Sequence, residues 1–133
     1  MSTNRKRILC VDDDEDTCTM LTVFLGQSEF EVVTAQTASE GLKLARQESF
    51  DLFLLDLWFK EDDKIELFRR IREFDQQTPL IIYSADARLA TQENLRAANV
   101  QAFLIKPKGL DHLIQTIKQL TNCVGSAVKM SDK

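Results

Sequence analysis

The sequence predicts an α/β fold, a doubly wound parallel sheet of five strands with five helices. Three observations carry that expectation. Five short runs of four to six residues are nearly all apolar, which is how strands covered on both faces read. The stretches between them place apolar residues at helical spacing. Strand and helix patterns alternate along the chain, as right-handed crossovers between parallel strands require. The length, 133 residues, suits one domain with a proper core and is short for two.

The elements follow in order. Residues 7–11, Arg-Ile-Leu-Cys-Val, form the first strand. Asp12 to Asp16 contains five consecutive acids, and acids in a first helical turn complement its positive end. Met20, Leu21, Phe24 and Leu25 then make a helical stripe. Phe30 to Ala35 is the second strand. Thr37 and Glu40 have capping-box spacing, and Ala38, Leu42 and Ala45 give the second helix its inner face. The third strand is Leu52 to Asp56. A loop over 57–64 leads to a third helix facing inward through Ile65, Phe68 and Ile71. Thr78-Pro79 punctuates, and Leu80 to Ser84 is the fourth strand. A weakly amphipathic helix over about 88–98 ends at Asn99, which tolerates the left-handed position after a helix. Ala102 to Ile105 is the fifth strand, followed by Lys106-Pro107. The last helix carries Leu113, Ile114, Ile117 and Leu120. Residues 121–133 have little pattern and are expected to form a flexible tail.

Composition removes several classes of function. A net charge of −4 and a pI near 5.0 give no basic patch for nucleic acid. No apolar run approaches the roughly 18 residues of a membrane span. Asn4 to Arg7 followed by Ile8 to Val11 superficially resembles a leader, but four apolar residues before three aspartates are too few. Cys10, Cys18 and Cys123 are an odd set without metal spacing, as expected for reduced thiols in a cytosolic protein.

A parallel sheet places all strand ends on the same side. Asp12, Asp13, Asp56, Ser84 and Lys106 therefore share one edge, where ligands bind in open α/β sheets. Each residue alone has an ordinary explanation as a turn, cap or solvated charge. Together they have a chemistry. Three carboxylates suit a hard dication through oxygen, and Mg²⁺ is the cellular choice. A lysine and a hydroxyl suit phosphoryl oxygens. An aspartate can attack phosphorus to give an acyl phosphate.

In this set the sequence resembles the receiver domains of two-component response regulators, over about Arg7 to Leu120. The acidic pair after the first strand falls on Asp12 and Asp13, the phosphoacceptor on Asp56, and the metal-binding backbone carbonyl on Trp58. The hydroxyl residue falls on Ser84 with the small residue Ala85 after it, the switch aromatic on Phe103, and the Lys-Pro pair on Lys106-Pro107, a bond the family commonly keeps cis. The resemblance implies the flavodoxin-like strand order 2-1-3-4-5. It implies a receiver domain over 1–120 with a tail over 121–133. It implies a phosphorelay function in which a histidine kinase or histidine phosphotransfer protein phosphorylates Asp56 with Mg²⁺. Ser84 and Phe103 then switch the face of the fourth helix, fifth strand and last helix towards a downstream protein. No turnover beyond self-phosphorylation and autodephosphorylation is implied. The location is cytoplasmic, without direct nucleic-acid contact or membrane insertion, and a phosphorylation-dependent homodimer is a further candidate assembly. His112 is expected to be solvated and not a phosphodonor.

One segment departs from the family. Its usual Met-Pro and Asp-Gly read Phe59-Lys60 and Asp63-Lys64 here. A glycine there serves a backbone angle that lysine dislikes, so either the loop takes another path or Lys64 is strained. Altered phosphorylation kinetics or partner choice follow as expectations. The Trp58 ring shields the phosphoryl group from water or packs on the neighbouring helix. Two rival functions fit the residues less well. A receiver-like interaction module independent of phosphate has only this loop in its favour. An Asp-nucleophile phosphohydrolase of the haloacid-dehalogenase type needs Thr or Val where Asp16 stands. An EF-hand loop fails at Thr17 and Val23.

Overall fold

The computed structural model describes residues 5–55, 61–84, 102–105 and 110–121. The elements are β1 (Lys6–Val11), α1 (Glu15–Gly26), β2 (Phe30–Ala35), α2 (Ala38–Gln47), β3 (Leu52–Leu55), α3 (Glu61–Phe74), β4 (Leu80–Ser84), β5 (Ala102–Ile105) and α4 (Leu110–Thr121). The helix expected over about 88–98 lies outside the described residues. All five strands form one parallel sheet in the order β2-β1-β3-β4-β5. The apolar runs are explained by burial on both faces. Leu9, Val11, Phe53, Leu55 and Ile82 pack under α2 and α3, with Ala45, Phe68 and Ile71. Ile8, Cys10, Leu54, Ile81 and Tyr83 pack under α1 and α4, with Leu21, Leu25, Leu113 and Ile117. Successive strand residues thus enter opposite cores, and neither parity is free to be polar.

Several boundaries and faces differ from expectation. The inner face of α1 is Cys18, Leu21 and Leu25, whereas Met20 is 41% exposed and Phe24 is only half-buried. The helix N-cap is Asp14, whose carboxylate accepts the Thr17 N–H at 3.2 Å and the Thr17 hydroxyl at 2.6 Å. The capping signal at α2 holds at Thr37, which accepts from the Glu40 N–H at 3.0 Å. Glu40 returns a bond one residue earlier than a capping box requires, to the Gln36 N–H at 3.2 Å. The third helix starts at Glu61, inside the expected 57–64 loop. Glu61, Asp62 and Asp63 fall in its first turn, where acids favour the helix. Lys64 is therefore helical, and of the two alternatives for this segment the chain takes another path without a positive φ at Lys64. Among the described residues the one non-glycine with positive φ is Glu29. At the other end, α4 extends to Thr121, a buried residue whose hydroxyl donates to the Ile117 carbonyl at 2.8 Å.

Gly41 sets how closely α2 approaches the sheet. A Cβ there would lie 2.8 Å from Val11 Cγ2, closer than real contacts allow.

Candidate functional site

Parallel pairing brings the carboxyl ends of β1, β3 and β4 together. Val11 pairs with Ala35 on one side and Leu55 on the other, and Ser84 pairs with Ile105. Each predicted acid or amine at this edge is the residue following one of these paired positions, or the next. Asp12 extends the β1–β2 ladder by one bond, from its N–H to the Ala35 carbonyl at 2.9 Å. Its side chain is 1% exposed. Asp12 Oδ1 accepts the Asp14 N–H at 2.9 Å, which turns the chain from strand to helix. Asp13 sits on that turn, half-buried.

Asp12 Oδ2 is buried, and among the described residues buried Asp13 Oδ1 accepts no hydrogen bond. A buried carboxylate oxygen left this way costs on the order of 1–3 kcal/mol or more. Two adjacent acids add mutual repulsion. A hard cation with oxygen preference relieves both costs, so the donor set fits Mg²⁺ or a similar dication. Among the described residues no group of three potential metal ligands occurs. The third expected carboxylate, Asp56, follows Leu55 in sequence and lies outside the described residues, as do Trp58, Ala85, Lys106 and Pro107. Of the hydroxyl and the switch aromatic, the structure gives strand position. Ser84 is the last residue of β4, and Phe103 is the second of β5, opposite Ile82. His112 is exposed on α4, as expected.

Sequence reading missed two residues next to this edge. Cys18 is buried on α1, and its thiol lies 3.2 Å from the Asp12 carbonyl oxygen. Its signal was the i, i+3, i+7 register with Leu21 and Leu25. Gly41, a glycine inside an otherwise good helix, was the sign of a close backbone approach.

The strand order defines a flavodoxin-like α/β domain, with the acidic pair past β1 at the carboxyl edge of the sheet. The comparisons carry this to a family. The profile of the response regulator receiver domain matches residues 8–118. The chain belongs to the response regulator receiver domain family of two-component systems. It is 36% identical over 122 residues to the transcriptional regulatory protein GlrR of Escherichia coli, covering 88% of this chain and 26% of that one. It is 29% identical over 111 residues to the cell cycle transcriptional regulator CtrA of Caulobacter vibrioides, covering 84% and 48%. The chain spans about a quarter of the length of the first relatives it matches. Among solved structures, a CheY-like receiver domain from Methanospirillum hungatei superposes with a TM-score of 0.83 at 28% identity, covering 90% of this chain and 95% of that one. TrrA from Thermotoga maritima, in complex with Mg²⁺ and a beryllium fluoride, superposes with a TM-score of 0.79 at 26% identity, covering 86% and 98%.

No helix among the described residues is long and apolar enough to cross a membrane. Cys10 and Cys18 are buried and are not joined in a disulfide.

Proposed function

We propose that this chain accepts a phosphoryl group on Asp56 and uses it to change a protein-binding surface. The observation that carries the proposal is the buried acidic pair at the end of β1. Among the described residues Asp13 keeps a buried oxygen without a hydrogen bond, beside a strand whose next residue in sequence is Asp56. Asp12, Asp13, Asp56 and the Trp58 backbone carbonyl would hold Mg²⁺. When bound, it supplies positive charge opposite the phosphoryl oxygens. TrrA, crystallised with Mg²⁺ and a phosphoryl mimic, supports this assignment.

The residues of the chain have separate tasks. A carboxylate oxygen of Asp56 forms a bond to phosphorus as the phosphorus–nitrogen bond of a donor phosphohistidine breaks, and the electron pair returns to the imidazole nitrogen. Lys106 and Ser84 hold the transferred phosphoryl oxygens. Occupation of Ser84 biases Phe103 and the surface of the 88–98 segment, β5 and α4. A full swing of such an equilibrium needs about 5.5 kcal/mol of differential contact, within reach of several charge-assisted bonds to a dianion. The receiver unit is 1–120, with Thr121 closing its last helix. Donors are a histidine kinase or a histidine phosphotransfer protein, and the output is a contact with a downstream protein in the cytoplasm. The acidic balance of −4 favours a protein target over nucleic acid, and no turnover of other substrates is assigned.

Acetyl phosphate with Mg²⁺, followed by intact mass, tests this. One added phosphoryl group is expected, lost on omitting Mg²⁺ or in Asp56→Asn. No added mass, or mass added equally to the variant, would overturn it and leave a receiver-like binding module. Beryllium fluoride gives the complementary measurement, since only the phosphate-dependent reading expects it to shift the amide spectrum of β5 and α4.

A further inference from the structure

The thiol of Cys18 connects α1 to the acidic loop in a way the helix itself does not need. The main chain of Cys18 is already satisfied. Its N–H donates to the Asp14 carbonyl at 3.1 Å, and its carbonyl accepts the Thr22 hydroxyl at 2.8 Å. The side chain is 4% exposed and points back along the helix to the Asp12 carbonyl, six residues earlier, at 3.2 Å. An S–H is a weak donor, but this contact is buried, where a hydrogen bond competes with little water.

The placement of that bond gives it a consequence. Asp12 N–H is fixed to the Ala35 carbonyl on β2 at 2.9 Å, and its Oδ1 is fixed to the Asp14 N–H at 2.9 Å. Its carbonyl, the remaining main-chain group, is the one the thiol holds. The peptide plane between Asp12 and Asp13 contains that carbonyl and the Asp13 N–H. Rotating the plane would swing the start of Asp13, whose buried Oδ1 has no hydrogen bond among the described residues. On the Asp12 side, the buried Val11 pairs with both neighbouring strands, through Ala35 and Leu55.

We infer that Cys18 is a positioning residue for the acidic pair: its thiol fixes the Asp12–Asp13 peptide and so aims both carboxylates at a divalent cation. The inference rests on the receiver reading of that pair. The bond should be coupled to the cation in both directions. Losing the thiol weakens Mg²⁺ binding, and Mg²⁺ binding suppresses the local opening that exposes the thiol.

Two measurements on the full chain test this. Titration calorimetry with MgCl₂ compares the natural protein, Cys18→Ala and Cys18→Ser. Loss of a partner that orients a metal ligand lowers affinity by about tenfold or more. The alanine variant is expected to lose about that factor, while serine, which keeps a donor, stays within about threefold of the natural protein. Equal affinities for all three, or an equal loss in both variants, would overturn the inference. The second measurement needs no variant to fold. Alkylation of each cysteine is followed by peptide mass with and without Mg²⁺. Cys10, on β1 and 1% exposed, serves as the internal reference. Mg²⁺ is expected to slow labelling of Cys18 more than that of Cys10. Equal slowing would mean both thiols are reached through global unfolding, and the inference falls. If the natural protein takes up no Mg²⁺, the receiver reading falls with it. If it does and Cys18 shows neither effect, only the role of Cys18 is lost.

Discussion

Asp13 and Asp75 are both half-buried aspartates in loops beside the sheet, but at opposite edges. Asp75 lies between α3 and β4 and is surrounded by donors. Its Oδ2 accepts the Thr78 hydroxyl at 2.6 Å, and its Oδ1 accepts the N–H groups of Thr78 at 2.9 Å and Gln77 at 3.1 Å. Arg72, 8% exposed, donates to the Asp75 and Thr78 carbonyls at 3.0 and 2.8 Å, so its charge stays close to the carboxylate. Burial pushes the Asp75 carboxyl up, but the Thr78 and Gln77 donors and the Arg72 charge outweigh it and hold the group below its ordinary range. Burial lowers the Arg72 guanidinium, and Asp75 partly opposes that. Asp13, at the carboxyl edge, keeps a buried oxygen with no such donor among the described residues. A satisfied carboxylate is part of the scaffold. A buried carboxylate oxygen without a donor, beside a second acid, costs stability that a bound cation would restore.

The largest expected effects come from exchanging the two. Asp75→Ala strands three donors and the Arg72 charge, and should cost about 2–3 kcal/mol in urea unfolding. Its Mg²⁺ affinity should match the natural protein. Asp13→Ala should do the reverse, losing more than about tenfold in Mg²⁺ affinity while stability without metal changes by less than about 0.5 kcal/mol or rises. Urea melts and Mg²⁺ titrations of both variants are sufficient. The contrast breaks if Asp13→Ala is destabilised as much as Asp75→Ala.

A smaller effect appears in acid. The folded-state pKa of Asp75 lies below its unfolded value, which is about 4. The unfolded chain therefore binds the proton more readily. The contribution of Asp75 is complete above pH about 4 and disappears as pH falls through the folded value. Unfolding free energy measured downward from pH 5 should drop less steeply in Asp75→Asn than in the natural protein. An unchanged slope would mean that the turn does not discriminate the charged form.

The same contrast explains what could be read from the sequence. Strand positions were legible because doubly buried strands leave continuous apolar runs, as at Leu52–Leu55 and Leu80–Ile82. Asp12 and Asp13 were legible because consecutive acids directly on a strand end serve no capping purpose. Asp14 does cap α1, and in that helix Met20 faces outward and Cys18 inward. A hydrophobic pattern of period 3.6 cannot fix the helix phase when threonine, cysteine and methionine are interleaved. The start of α3 was misplaced because its first turn is all acids and lysine, which read as loop when helix-end electrostatics are not weighed. Arg72 and Asp75 gave no signal at all. A buried arginine is recognisable only once its carbonyl partners, three and six residues on, are folded against it.

The smallest expected effect extends the contrast from charge to backbone strain. Glu29, in the turn from α1 into β2, has φ 72°, and its N–H reaches the Gly26 carbonyl at 3.2 Å. This turn is at the amino edge, with Asp75. A non-glycine residue in the left-handed region costs about 1 kcal/mol. Glycine removes that cost but gives back about 0.5–1 kcal/mol through the freedom of the unfolded chain. Glu29→Gly should therefore gain only a few tenths of a kcal/mol, roughly the difference between these two terms, and Glu29→Ala, which keeps the Cβ, should gain nothing. Both should bind Mg²⁺ as the natural protein does, because the strain is a consequence of closing the α1–β2 turn and does not reach Asp12. A change in Mg²⁺ affinity in the glycine variant would show that the amino edge is coupled to the acidic pair through α1, whose first turn carries Cys18, and the separation of scaffold edge from binding edge would no longer hold.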